Sequence, residues 1–434
     1  MKSDISFSRL KQFPPLMWIL LFGSFITRGS FYMVWPFLAV ILYEKFALSA
    51  TEVGSILSLA AIISVFVSFV GSTLSDKFGR KPMMFATGIL YIISFSLLAE
   101  ADSVVTFTLV ITLCSIATSL WRPLTSALIG DIIPQAESRE LAMQSLYFAV
   151  NVGCAIGPML GVLLGLTGEQ SSFYITVFAF AILLALLFVG FRHQEKSQTS
   201  ANNTIEHDAS KMGPGTKHTG LRQTLEILIK DKLLQCLILA NVLCLFIYGQ
   251  MDSSLIQYLT REQVPNLLEL ISSMIFANAL VIVSCQFVLL KLMASRPLLV
   301  RIRLGLVMLI LSQIWFAFNP LHFFMGWIGA VIIMSLAEAV LFPTMNVHVD
   351  RIAPEKLRGA YFGATAFYDL GFALAPIGGG IILDLYSGTW LFLFSAGIAV
   401  FVFFLYHIMG NLSRPDFVTE QLKVSSNRNN KMSS

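Results

Sequence analysis

The chain has 434 residues, of which 56% are hydrophobic and only 12% charged, with a mean hydropathy of +0.76; a soluble domain carries roughly 25% charged residues. This composition excludes a soluble globular enzyme, and the formal net charge of +4 is too small for a nucleic-acid-binding face. Cys114, Cys154, Cys236, Cys244 and Cys285 all fall in apolar runs without a CxxC pair, so neither a disulfide framework nor a thiolate metal site is indicated.

In chain order, the polar start MKSDISFSRLKQF runs straight into an apolar stretch from Pro15 to Tyr43. It lacks the short apolar core and small-residue cleavage site of a removable signal, so the first helix is expected to stay. Apolar runs then recur near 52–73, 82–100, 104–131, 138–166, 171–191, 233–259, 266–291, 299–318, 321–348, 357–384 and 388–410. At 1.5 Å per residue about 20 residues cross a hydrocarbon core of about 30 Å. The fold class read from this is an all-α membrane protein with twelve transmembrane spans. Of the 29 lysines and arginines, 25 fall on the side shared by both termini, two (Lys45, Arg261) on the opposite side, and two (Arg28, Arg122) within spans. Basic residues collect on the cytoplasmic side, so both termini are expected there.

Between spans six and seven lies RHQEKSQTSANNTIEHDASKMGPGTKHTG, too polar to bury a core and broken by Gly213, Pro214 and Gly215, which reads as a disordered linker. The following LRQTLEILIKDK spaces Leu221, Leu225 and Leu228 as a short surface helix. The six histidines are scattered, three of them in this loop, and form no metal set. A duplication is visible across the linker. WRPLTSALIGDIIPQAESR with NVGCAIGPMLG in the first half matches LFPTMNVHVDRIAPEKLR with DLGFALAPIGG in the second. Pro123 and Pro134 align with Pro343 and Pro354 at an offset of 220, and Gly153, Pro158 and Gly161 with Gly371, Pro376 and Gly379 at 218. The expected organisation is a six-helix bundle (1–192), a cytoplasmic linker with a surface helix (193–232), a second six-helix bundle (233–410) and a cytoplasmic tail (411–434).

The turn between spans two and three reads GSTLSDKFGRKPMM. It resembles the cytoplasmic loop between helices two and three of the major facilitator superfamily, consensus GxLaDrxGrkxxl, with Leu74, Ser75, Asp76, Lys77, Gly79, Arg80 and Lys81 in order and Ser72 at the first glycine. Span five, GCAIGPMLGVLLG, resembles that family's antiporter motif gxxxGPxxGG through Gly153, Gly157, Pro158 and Gly161, with Val162 at the last glycine. On physics alone, small residues every four positions let helix backbones approach closely. The resemblance implies two bundles that rock about a central site, and a latch in which Asp76 caps a helix end while Arg80, with Lys81 beside it, pairs with Asp131. The antiporter pattern implies proton-coupled export. Arg28-Gly29, Glu338 before Pro343 and RIAPEKLRGAYFG are similar to a bacterial subgroup that exports drugs or small peptides, which implies the bacterial cell inner membrane and a monomer. Two departures stand out. The family's helix-four arginine is Ile111 here, and span one carries Arg28 where many drug exporters have an acid, so the proton path is not transferred.

Charges inside a membrane are costly and mark function or ion pairs. Arg28, Arg122, Asp252 and Glu338 occupy spans one, four, seven and ten, the cavity-lining helices of the resembled fold, with the basic pair in one half and the acidic pair in the other. Asp369 on span eleven takes the place of Asn151 in the repeat. An acid in a low-dielectric setting favours its neutral form and a nearby arginine favours the charged one. Breaking and remaking such a pair as the halves rock loads and releases a proton. Glu338 is therefore the expected proton carrier, followed by Asp369 and Asp252. Arg28, Arg122, Asp252, Glu338, Tyr248 and Gln250 are the expected cavity residues. Without HExxH, GxSxG or a phosphate loop, no enzyme activity and no cofactor are expected. The partners expected are a small-molecule substrate, protons and the lipid bilayer. Uptake through the same fold, and a receptor or scaffold that does not transport, are the competing readings.

Overall fold

The computed structural model describes residues 11–133, 135–202, 228–293, 295–354, 361 and 364–414. Twelve helices among them are long and apolar enough to cross a membrane. Spans two to six are Ala50–Phe78, Arg80–Glu100, Val104–Ile132, Ala136–Leu163 and Phe173–Asn202; spans eight to twelve are Leu267–Met293, Leu298–Phe318, Phe324–Ile352, Asp369–Leu385 and Gly388–Ile408. Span six runs to Asn202, so the first residues of the stretch read as linker continue the helix. No glycine or proline interrupts 191–202, and a helix stops where its capping and sequence stop it rather than where hydropathy falls. Most of the expected surface helix, and RIAPEKLRGAYFG beyond Pro354 apart from Tyr361, lie outside the described residues.

Spans one and seven, equivalent in the repeat, are both broken. Span one is Pro15–Val34, a tight 3-10 turn at Trp35–Phe37 and then Leu38–Phe46; Pro36 removes one N–H from the ladder there. Span seven is Lys232–Asp252 followed by Ser254–Arg261, with Ser253 at φ −131°, ψ −75° between them. Span eleven likewise begins through a 3-10 turn, Thr365–Tyr368. Interrupted backbone inside a membrane survives only where protein or a cavity receives its polar groups.

Spans one and five meet backbone to backbone. A Cβ built on Gly157 would lie 2.1 Å from the Gly29 carbonyl oxygen, and one on Gly153 would lie 2.5 Å from that of Phe25. The repeat reproduces this between spans seven and eleven, where a Cβ on Gly371 would lie 2.1 Å from the Val242 carbonyl oxygen and one on Gly379 would lie 2.0 Å from Ser254 Oγ. Gly161 packs on Met33 and Thr167. Pro158 and Pro376 sit inside helices that continue through them. An aromatic core of Phe31, Tyr91, Phe95, Trp121 and Phe180 fills the first half. Phe316, Trp327 and Phe392 fill the second.

The halves are pinned at the face opposite the termini. Asp384, at the end of span eleven, accepts from the backbone N–H groups of Ala50 (3.0 Å) and Thr51 (2.7 Å) at the start of span two. Arg261 donates to the Leu48 carbonyl (2.9 Å) and lies over the Tyr43 ring, and Ile377 N donates to Ser58 Oγ (3.0 Å). Gly54 and Gly380 allow the approach, because Cβ atoms there would lie 2.2 Å from the Pro376 carbonyl oxygen and 2.3 Å from that of Ala50.

Candidate functional site

The intramembrane charges lie on spans one, four, seven, ten and eleven. Arg28 lies two turns before the break in span one, its guanidinium 5.7 Å from the Phe31 ring centroid. Arg122 precedes Pro123 in span four, Asp252 ends the first helix of span seven, and Asp369 opens the helix of span eleven. Arg122, Asp252 and Asp369 are solvent-accessible side chains although each lies within a membrane-spanning segment. Arg122 is within Coulombic reach of Asp369, Tyr147 of Glu338 and Arg122, Cys154 of Arg28 and Asp252, and Tyr32 of Asp252 and Glu338. Of these, Arg122 with Asp369, Tyr147 with Glu338, Cys154 with Asp252, and Tyr32 with both Asp252 and Glu338 cross between the halves.

Glu338 is held by an amide. Asn278 of span eight donates to Glu338 Oε2 (2.9 Å) and to Ser335 Oγ (2.9 Å), and the Ser335 hydroxyl donates onward to the Val331 carbonyl. Among the described residues, no arginine or lysine lies within 4.0 Å of Glu338, Asp252 or Asp369. The expected pairing of Glu338 with Arg28 or Arg122 is therefore not made in this conformation, where Glu338 Oε2 accepts from Asn278 of its own half instead.

Two expected cavity residues sit elsewhere. Tyr248 is buried, its hydroxyl directed at the Met334 carbonyl (3.4 Å) and its ring set edgewise on Phe342. Gln250 is buried between spans seven and eleven, donating to the carbonyls of Phe246 and Ala375 (both 3.2 Å). The sequence placed both on a cavity helix without its rotation: span ten covers Tyr248 and span eleven covers Gln250.

At the termini face, Gly79 takes φ +91° in the one-residue turn between spans two and three, a conformation glycine adopts without cost. Arg80 Nε lies 3.5 Å from Asp131 Oδ2, and Lys81 lies over the Phe191 ring. The side chain of Asp76 is outside the described residues. The sequence reading missed Asn278, Tyr147 and Asp384. Asn278 was visible as an amide in the apolar run of span eight, whereas nothing in the sequence marks Asp384 as the partner of a helix start 334 residues away.

A duplicated twelve-span bundle that carries charged side chains of both halves inside its membrane spans is the architecture of a membrane transporter. The chain belongs to the Major Facilitator Superfamily, whose family profile matches residues 20–368. It is 28% identical over 387 residues to the uncharacterized MFS-type transporter YqjV of Bacillus subtilis (strain 168), covering 89% of this chain and 90% of that one. It is 26% identical over 432 residues to a Na(+), Li(+), K(+)/H(+) antiporter of Planococcus maritimus, covering 93% and 98%. Among solved structures it resembles a substituted form of the nucleoside transporter NupG, with a TM-score of 0.73 at 16% identity over 91% of this chain and 99% of that one.

Proposed function

We propose that this protein is a proton-coupled exporter of small drug-like or peptide-like molecules, working by alternating access as a monomer in a bacterial cell inner membrane with both termini cytoplasmic. One observation carries the reading: the membrane spans hold three acids on one half and two arginines on the other, with Arg122 in electrostatic reach of Asp369 and no ion pair within 4.0 Å among the described residues. A carboxyl group at this depth has two low-cost states, protonated or facing a cation. Rocking of the halves exchanges one state for the other. Glu338 is the proposed proton carrier, since its single hydrogen bond from Asn278 serves either state, and Asp369 and Asp252 follow. The antiporter relative supports exchange against protons, and the antiporter-like glycines of span five support export. Arg80, Lys81 and Asp131, with Asp76, form the proposed latch at the cytoplasmic face.

The experiment is substrate-induced proton release in proteoliposomes, screened over cytotoxic compounds and dipeptides. Glu338→Gln should abolish the proton signal and gradient-driven accumulation while keeping binding and passive exchange. An unchanged signal in Glu338→Gln with loss in Asp369→Asn would move coupling to span eleven, and no proton signal with any substrate would overturn the coupled reading.

A further inference from the structure

The first half holds a cavity of about 50 Å³ whose walls include Thr27, Arg28, Tyr91, Trp121, Arg122 and Phe180. Of the four hydroxyls in its walls, those of Thr27, Thr125 and Tyr91 have their hydrogens committed elsewhere, and among the described residues that of Ser24 does not. Thr27 donates to the Gly23 carbonyl (2.7 Å), Thr125 to the Trp121 carbonyl (3.0 Å) and Tyr91 to Thr118 Oγ1 (2.9 Å). The rings form a fixed wall, with Tyr91 stacked on Phe180 and Trp121 set edgewise against both. What the cavity offers a ligand is therefore two guanidinium groups and the Ser24 hydroxyl against an aromatic surface. No carboxylate lies within 4.0 Å of either among the described residues. Paired guanidinium forks in a low-dielectric recess match the oxygens of a carboxylate or phosphate. On this measure one water needs about 10–15 Å³, so the space takes a few waters or an oxyanion head in their place.

We propose that Arg28 and Arg122 form an oxyanion subsite, so that the transported molecule is an amphipathic acid or zwitterion whose head enters this cavity while its body lies between the halves towards Glu338 and Asp369. This rests on the reading of the space between the halves as the transport site, but it concerns binding chemistry and not direction or coupling. A zwitterion suits the arrangement best, because its cationic end would meet the acids of the opposite half.

The test is equilibrium binding to the full-length protein in phosphatidylcholine nanodiscs, where no proton gradient exists and a failure of export cannot mask the result. The probes are phenylbutyrate, phenylbutanamide and phenylbutylamine. The carboxylate should bind about tenfold or more tightly than the amide, the range for a hydrogen bond to a charged partner. Arg122→Gln and Arg28→Gln should each reduce it to the level of the amide, while Arg192→Gln, at an exposed arginine in the second half of span six, should leave it unchanged. If Arg28→Gln does not fold, Arg122→Gln, whose side chain is accessible, decides alone. Equal binding of amide and carboxylate, preference for the amine, or indifference to Arg122→Gln in folded protein would overturn the proposal. So would loss of carboxylate binding on adding phosphatidylglycerol, with that lipid retained by the wild type and not by the arginine variants, since the subsite would then belong to a lipid headgroup.

Discussion

Replacing Asp384 by alanine should release the face opposite the termini. This carboxylate accepts two backbone N–H groups at the start of span two, from Ala50 at 3.0 Å and Thr51 at 2.7 Å, and so caps a helix of one half from the end of a helix of the other. Loss of a helix cap costs typically about 1 kcal/mol, and loss of an anion at a helix N-terminus a further 0.3–1 kcal/mol or so. The Asp384 side chain is exposed, so water replaces part of what is lost. About 1–2 kcal/mol then moves the ratio of closed to open molecules about 5- to 30-fold. Spin labels on cysteines at Glu44 and Glu262, exposed positions on the same face but on different halves, would report the populations by electron–electron distance measurement in a background without the native cysteines. Asp384→Ala should raise the long-distance population by that factor. Ser58→Ala, which removes one hydrogen bond, should raise it by less. Gly54→Ala, whose Cβ would lie 2.2 Å from the Pro376 carbonyl oxygen, should raise it by more. Unchanged distance distributions in Asp384→Ala and Gly54→Ala would refute the view that these contacts hold the face shut.

Gly157→Ala should destabilise the first half by about 1–3 kcal/mol or more, because its Cβ meets the Gly29 backbone, whereas Gly130→Ala, with open space around its Cβ, should not. Thermal unfolding in detergent separates the two. Asp231→Ala should cost about 3 kcal/mol, since this fully buried carboxylate caps span seven at Leu233 and Leu234 and receives Tyr361 and Arg414; a melting temperature within a degree or so of wild type would contradict it. Asp76→Asn and Arg80→Ala should slow transport with ligand affinity largely kept, and stability should change by less than about 1 kcal/mol for a pair as accessible as Arg80 and Asp131. Lost affinity with normal exchange rates would count against a latch. A cysteine at Ser200 should resist an impermeant thiol reagent in intact cells and react after lysis, and labelling of intact cells would invert the proposed topology.

Span number, the duplication and the class of protein were all legible in the residues, and the reason is local. A segment that crosses a bilayer must satisfy its own backbone and be apolar along its length, so each span announces itself without reference to any other. Glycines at 153, 157, 371 and 379 were legible as packing positions for a similar reason, since a missing side chain has few uses in a helix. Rotation and partnership were not legible. Tyr248 and Gln250 share a helix with Asp252, yet span ten covers the first, span eleven covers the second, and Asp252 stays solvent-accessible. Glu338 could be singled out as a costly charge, but that its partner is Asn278 and not an arginine depends on how spans eight and ten meet. Asp384 reads as an unremarkable acid at the end of a span until folding brings the start of span two against it. Hydropathy is a property of a segment, whereas a hydrogen bond between spans two and eleven is a property of their register, and only the tertiary structure decided that.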